Sequence, residues 1–269
     1  MPGSAPQDPG EYQPTRLDRA VAERGLARSR SAAVALIRAG RVRVNDEVVA
    51  RTASTVTAGD TISVESEPYV SRAAHKLVGA LADLEFDVTG HRALDAGAST
   101  GGFTQVLLQS GCREVIAVDV GHGQLAAEIR ADSRVVCHEH LNVRDLTLAH
   151  VAGKPVDLVV GDLSFISLTL VLPALSGVVH PDGCLLLMVK PQFEVGRERL
   201  GEGGVVRDPA LHVAAVAGVI EAAAELGWAA QAVVPSRLRG PAGNREFFVL
   251  FTRARVAEPV DVAAAVRGT

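Results

Sequence analysis

Leu94-Asp95-Ala96-Gly97-Ala98-Ser99-Thr100-Gly101-Gly102-Phe103 decides how the rest of this 269-residue chain is read. Before it, Arg92-Ala93-Leu94 suits a short buried strand; after it, Thr104-Gln105-Val106-Leu107-Leu108 has helical character. Strand, glycine loop and helix in that order make the entry to a nucleotide site in a doubly wound sheet. Small residues there let a ligand approach the backbone and the helix N-terminus. Alone, such a loop could also be a tight turn that binds nothing. Val115-Ile116-Ala117-Val118-Asp119 adds a second strand, ending in an acid 22 positions after Gly97. A ribose-binding carboxylate falls at about that distance.

The spacing is D-x-G-x-x-x-G-G, not the dinucleotide fingerprint G-x-G-x-x-G. With its leading Asp95 it resembles the S-adenosylmethionine loop of Rossmann-like methyltransferases. That ligand has no pyrophosphate, so the loop need only pack against the amino-acid moiety, and Asp119 would hold the ribose hydroxyls. The cofactor contacts this implies are Asp95, Gly97, Ala98, Ser99, Thr100, Gly101, Phe103, Asp119, Val120, Asn142 and Asp162. Asp145 competes with Asn142 for the adenine, and Phe103 is as readily a core residue.

Composition bounds the remaining possibilities. Apolar residues make up 48% and charged residues 22%, which is the balance of a globular chain. The length suits one large domain and a small one. Cys112, Cys137 and Cys184 form no C-x-x-C pair, so neither a zinc site nor a disulfide framework is expected, and the usage suits the cytoplasm. No metal is expected. No apolar run reaches the ~18 residues of a membrane span, and no signal-peptide core opens the chain. The net charge of −4 means that any affinity for nucleic acid must be local.

Such a local excess exists. Between Thr15 and Arg51 there are nine arginines and four acids, a net +5. This stretch patterns as two helices, the first capped by Thr15 and closed at Gly25, the second beginning near Ser29 or Ser31 and ending at Gly40. A hairpin through Asn45-Asp46 follows. A basic face on such a unit fits an RNA backbone, though charge alone fits a solvated helix pair as well. Arg16-Leu17-Asp18, Gly25-Leu26-Ala27-Arg28-Ser29-Arg30 and Ile37 through Asn45 are similar to the S4 RNA-binding domain. The expected RNA contacts are Arg16, Arg28, Arg30, Arg41, Arg43, Arg72 and Arg197.

The domain plan is then a disordered tail at 1–14, an S4-like α+β domain at 15–64, a linker at 65–70, an α/β domain at 71–254 and a C-terminal tail at 255–269. Strands are expected near 92–96, 114–119, 134–138, 156–161, 183–190, 229–234 and 246–252. Helices are expected from Ser71 to about Asp83 and near 101–110, 123–130, 166–178 and 208–226. The apolar runs Val156-Asp157-Leu158-Val159-Val160 and Cys184 through Val189 read as parallel strands covered on both faces. The last two strands would make an antiparallel edge.

Only three of the 27 basic residues are lysines: Lys76, Lys154 and Lys190. Lysine can give up its proton to act as a base, whereas arginine effectively cannot. Asp162 and Lys190 each end a central strand, where ligands bind in open α/β sheets. Lys76 starts the helix that enters the domain, and Glu246 opens the last strand. Each taken singly is an ordinary surface ion pair. Together they suit methylation of a ribose hydroxyl, a weak acid that needs a base in line with the methyl donor. A neighbouring lysine and burial both favour a neutral amine. Lys190 is the expected base and Asp162 its partner, with Lys76 and Glu246 positioning them.

The large domain resembles the FtsJ-like ribose 2′-O-methyltransferases with their Lys–Asp–Lys–Glu tetrad. With the S4 module in front, the chain resembles the TlyA family. The matching stretches include Val70 through Leu77, Asp162-Leu163-Ser164-Phe165-Ile166-Ser167, Val189 through Gly196 and Gly240 through Phe247. The resemblance implies a Rossmann-like class I fold and S-adenosylmethionine-dependent 2′-O-methylation of cytidine in ribosomal RNA of assembled subunits. It also implies an influence on susceptibility to capreomycin-type antibiotics. A monomer is expected. Members often carry Arg-x-Trp-Val in the linker, where this chain has Glu67-Pro68-Tyr69-Val70. The competing readings are a membrane-active haemolysin, a non-catalytic ribosome assembly factor and a base methyltransferase. The last lacks its usual Asn/Asp-Pro-Pro-aromatic motif or strand-end cysteine here.

Overall fold

The computed structural model describes residues 14–65, 68–254 and 258–268. The tail expected at 1–14 and the linker's Ser66 and Glu67 thus lie almost wholly outside the described residues. Two compact units divide between Pro68 and Tyr69, within the stretch read as a linker.

The first unit runs β1 (Thr15–Arg16), α1 (Leu17–Glu23), α2 (Arg30–Arg38), β2 (Val42–Val44), β3 (Glu47–Val48), β4 (Thr55–Val56) and β5 (Ile62–Val64). Thr15 does not cap α1. It pairs with Val56 in an antiparallel ribbon, and extended Arg16 precedes the first helical turn. Ser29 does cap α2, its hydroxyl accepting from the Ala32 amide at 3.2 Å. Asn45 and Asp46 both have positive φ, as the tight β2–β3 turn requires. Leu17, Val21, Ala33, Ile37 and Val42 are fully buried between the helix pair and the three-stranded sheet β3-β2-β5. Among them the buried Asp18 carboxylate accepts from Arg16 and Arg30, so two of the predicted RNA-contacting arginines also hold this unit together. Hydrogen bonding from Arg16 is the main reason the Asp18 pKa lies below its usual range. Arg28 is exposed, Arg41 donates to the Glu65 carbonyl at 2.6 Å, and Arg43 donates to the Asp46 carbonyl at 3.0 Å.

The second unit continues with α3 (Ala73–Asp83), β6 (Arg92–Ala96), α4 (Gly102–Gln109), β7 (Glu114–Val118), α5 (Ala127–Arg130), β8 (Val135–His138), β9 (Val156–Gly161), α6 (Leu172–Ser176), β10 (Val179–Val189), α7 (Pro191–Glu194), α8 (Pro209–Glu225), β11 (Ala229–Pro235), β12 (Phe247–Thr252) and α9 (Val262–Arg267). Its seven strands lie in the order β11-β12-β10-β9-β6-β7-β8. All pairings are parallel except those of β12, which runs against both β10 and β11. This is the expected parallel sheet with an antiparallel edge.

Successive strand residues feed opposite faces, as a period of two demands. Leu185, Leu187 and Val189 of β10 join one apolar layer, and Cys184, Leu186 and Met188 join the other. Burial on both faces is why these strands read as unbroken apolar runs. The chain direction reverses its march across the sheet between β6 and β9, so the crevice for a ligand opens at their carboxyl ends.

Three expectations are corrected. The helix expected at 123–130 is only the single turn of α5. The helix expected at 166–178 is a 3-10 turn over Leu168–Leu170 followed by α6, whose first turn contains Pro173; proline has no N–H to continue a preceding helix. The tail expected at 255–269 contains α9, which packs against α8 and β11. Val266 is fully buried there, and its carbonyl accepts from Arg245 at 2.7 Å.

Candidate active site

The glycine loop is built to press against the strand beside it. Gly97 has φ of +86°, and a Cβ there would meet the Asp162 carbonyl at 3.2 Å and the Leu163 side chain at 3.0 Å. Gly101, at φ +96°, lies under Leu125, 2.8 Å from where a Cβ would stand. Only glycine takes such backbone without strain in so little space. Asp162 is held at the same junction, its amide donating to the Ala96 carbonyl at 3.2 Å.

Two cavities meet over this loop and share Gly97, Ser99, Asp162 and Ser164 as a common wall. The larger, about 480 Å³, is also lined by Asp119, Val120, Asn142, Leu163 and Phe165. The Asp119 carboxylate accepts from the Ser99 amide at 2.8 Å and the Gly121 amide at 2.7 Å. Those bonds fix its direction and leave lone pairs on both oxygens. Asn142 lies on the wall while its carbonyl oxygen caps the following turn, accepting from the Arg144 amide; Asp145 is not on the wall. The smaller cavity, about 250 Å³, is lined by Arg72, Lys76, Ala98, Phe103 and Lys190. Phe103 is both wall and core, stacked at 6.0 Å on Phe248.

Not every expected cofactor residue reaches a cavity. Asp95, Thr100 and Gly101 line neither. Asp95 is fully buried on β6, where one carboxylate oxygen accepts from the Thr104 hydroxyl at 2.7 Å and the other, Oδ1, has no partner. Burial pushes its pKa up to about 7 from an ordinary value near 3.8. The folded state therefore keeps a proton that the unfolded chain has already lost, and stability must fall as pH rises from about 4 through about 7. Asp95→Asn is expected to abolish that slope. Urea midpoints should show the variant gaining on the parent at pH 8 but not at pH 5; parallel pH profiles would contradict this reading of Asp95.

The four predicted catalytic residues come together. Lys76, Lys190 and Glu246 are all buried. Lys76 Nζ donates to Glu246 Oε2 at 2.7 Å and lies 3.6 Å from Asp162 Oδ2. Lys190 Nζ lies 2.5 Å from Asp162 Oδ1 in an ion pair without a directed hydrogen bond, and donates to Ser164 Oγ at 2.8 Å. Asp162 thus bridges the two ammonium groups, and Glu246 closes the far end. Glu246 itself lines neither cavity; it acts from behind Lys76.

Several side chains here carry no signature in the sequence. Ser164, given no role by the sequence reading, gains one when Lys190 is placed against it. The buried Asn244 accepts from the Val206 amide at 2.9 Å and donates to the Gly204 carbonyl at 3.1 Å. It thereby ties the glycine-rich stretch after Arg197 to the approach to Glu246. Phe165 has positive φ, is 91% exposed and lies 5.4 Å from the Phe193 ring. Arg197 borders the same aromatic pair, and Arg72 donates to the Arg239 carbonyl.

Residues 69–253 match the FtsJ-like methyltransferase family and residues 15–62 match the S4 domain. The chain is 52% identical over 237 residues to the 16S/23S rRNA (cytidine-2′-O)-methyltransferase TlyA of Mycobacterium tuberculosis, covering 87% of this chain and 88% of that one. It is 36% identical to Hemolysin A of Brachyspira hyodysenteriae, over 88% of this chain and 99% of the relative. A solved structure of a haemolysin-named protein from Streptococcus thermophilus superposes with a TM-score of 0.74, at 34% identity and 95% coverage of both chains.

Proposed function

Because the chain belongs to the TlyA family of FtsJ-like methyltransferases carrying an S4 domain, we propose that it methylates cytidine 2′-hydroxyls in ribosomal RNA. The observation that carries this reading is the joined Lys76–Asp162–Lys190–Glu246 cluster at the wall of the glycine-loop cavities. The residues present fit S-adenosylmethionine. The Asp119 carboxylate faces a cavity of nucleoside size. Asp119 and Asn142 would hold the nucleoside, while Gly97, Ala98 and Phe103 would pack the amino-acid end. When bound, the cofactor supplies an electrophilic methyl group.

The chain's own residues do the rest. Lys190 takes the proton from the ribose hydroxyl. Asp162 lies between the two lysines and balances their charge, and Lys76, anchored by Glu246, fixes Asp162 from the other side. The exposed Phe165 and its neighbour Phe193 offer a ring face to a base lifted out of its stack. Arg72 and Arg197, with the S4 arginines, are the phosphate contacts. The substrate is 16S RNA, 23S RNA or both within ribosomal subunits in the cytoplasm, the protein acts as a monomer, and its loss lowers susceptibility to capreomycin-type antibiotics. No helix among the described residues is long and apolar enough to cross a membrane.

A 2′-O-methyl group protects the adjoining phosphodiester from alkali. After labelled methyl transfer to purified subunits, alkaline hydrolysis should therefore leave the label in dinucleotides; label in mononucleotides would mean base methylation. The S4 unit is tested separately. Deleting residues 1–66 should weaken RNA binding and flatten its salt dependence, by roughly 0.7–0.9 in log–log slope for each phosphate that is no longer neutralised. An unchanged slope would remove the S4 arginines from the interface.

A further inference from the structure

Lys190 has two neighbours, and only one of them gives it a direction. Asp162 Oδ1, at 2.5 Å, attracts the charge but forms no directed hydrogen bond with it. Ser164 Oγ, at 2.8 Å, accepts a directed hydrogen bond from Nζ. Ser164 lies on the wall shared by both cavities, two residues after Asp162 and beside the exposed Phe165. Its hydroxyl therefore stands where the reacting groups must meet. A neutral lysine amine has two N–H bonds and one lone pair in tetrahedral array. The charge of Asp162 draws the amine without fixing it, and the bond to Ser164 takes up one N–H, so the lone pair is confined to the remaining directions. Lys190 lines the smaller cavity, the space where the ribose hydroxyl would lie.

We propose that Ser164 is a positioning residue for 2′-O-methylation, holding the Lys190 amine so that its lone pair faces the substrate hydroxyl. This rests on the assignment of Lys190 as the base. No atom of Ser164 is transferred: the proton passes from the ribose oxygen to Lys190 Nζ, and the Ser164 oxygen accepts one of the other N–H bonds throughout. Without it the amine rotates about its last carbon–nitrogen bond and only a fraction of its orientations are productive, a loss that falls on the chemical step and not on binding.

The test compares S164A and S164T with the parent and with K190A. S164A is expected to lower kcat at least about tenfold, a share of the 10²–10⁴ typical of a positioned base, with KM for RNA and the dissociation constant for S-adenosylmethionine unchanged. S164T, which keeps the hydroxyl, should recover most of the loss. A second readout needs no turnover. Only three lysines are present, so ε-labelled lysine gives three resolvable signals, and K190A identifies the one from Lys190. Its two Hε resonances should be distinct in the parent and in S164T, where the amine is pinned, and should converge in S164A. If S164A does not fold, S164C, whose sulfur is a weak acceptor, takes its place. Undiminished kcat in S164A alongside an inactive K190A would overturn the role of Ser164 and leave the base assignment standing. An active K190A would overturn both.

Discussion

Lys190→Ala is expected to reduce methyl transfer by two to four orders of magnitude, the contribution usual for a positioned general base, while leaving the affinity for S-adenosylmethionine within about twofold. The separation follows from the geometry. Asp119 and Asn142, which would hold the nucleoside, line the larger cavity and keep their contacts when Lys190, on the smaller one, is truncated. Equilibrium binding of the cofactor and single-turnover methylation, measured on the same preparation, decide the matter. A variant that keeps turnover would show that another group takes the proton. A variant that loses both cofactor affinity and turnover would point to collapse of the shared wall at Asp162 and Ser164.

The second large effect concerns stability. Lys76 and Glu246 form an ion pair at 2.7 Å with side chains only 5% and 1% exposed. Removing one partner from such a pair leaves an uncompensated buried charge, which typically costs about 3–5 kcal/mol. Glu246→Ala should therefore lower the denaturant midpoint markedly and also abolish activity, because Lys76 then has only Asp162 to pair with. The informative variant removes both charges. Lys76→Met combined with Glu246→Leu should regain most of the lost stability, since an apolar pair of similar volume often replaces a buried ion pair at little cost, yet it should remain inactive. A double variant as unstable as Glu246→Ala would mean that the pair is held for packing. An active one would take both residues out of the mechanism.

Much of this arrangement is legible in the sequence, because the signals are local. The strands carrying Leu94, Val118 and Val160 are apolar runs closed by glycine or acid, and their alternation with helices marks a parallel sheet. The joined Lys76–Asp162–Lys190–Glu246 cluster is legible because lysine is rare in this chain and because ligands gather at strand ends. What escapes depends on distant partners. Thr15 reads as a helix cap, yet a strand forty residues on claims it through Val56. Residues 179–182, with Pro181, fall between the expected helix and strand, yet they extend β10 because Val179 pairs with Val156 across a register shift. The last helix has too few residues to be stable alone and folds because α8 and β11 cover Val266. Asp95 begins the motif and reads as a cofactor contact, yet it lies on the buried strand beneath the loop, bonded to Thr104. Ser164 cannot be read at all, since its meaning lies in the 2.8 Å to a residue 26 positions away.

The most direct test of ribose methylation by the Lys190 site is to incubate the protein and S-adenosylmethionine with purified small and large ribosomal subunits and locate each new methyl group by mass spectrometry. Methyl groups are predicted on cytidine 2′-oxygens at defined positions, present with the parent protein and missing with Lys190→Ala. Methyl groups on base atoms, or the same ribose modification from Lys190→Ala, would contradict that assignment.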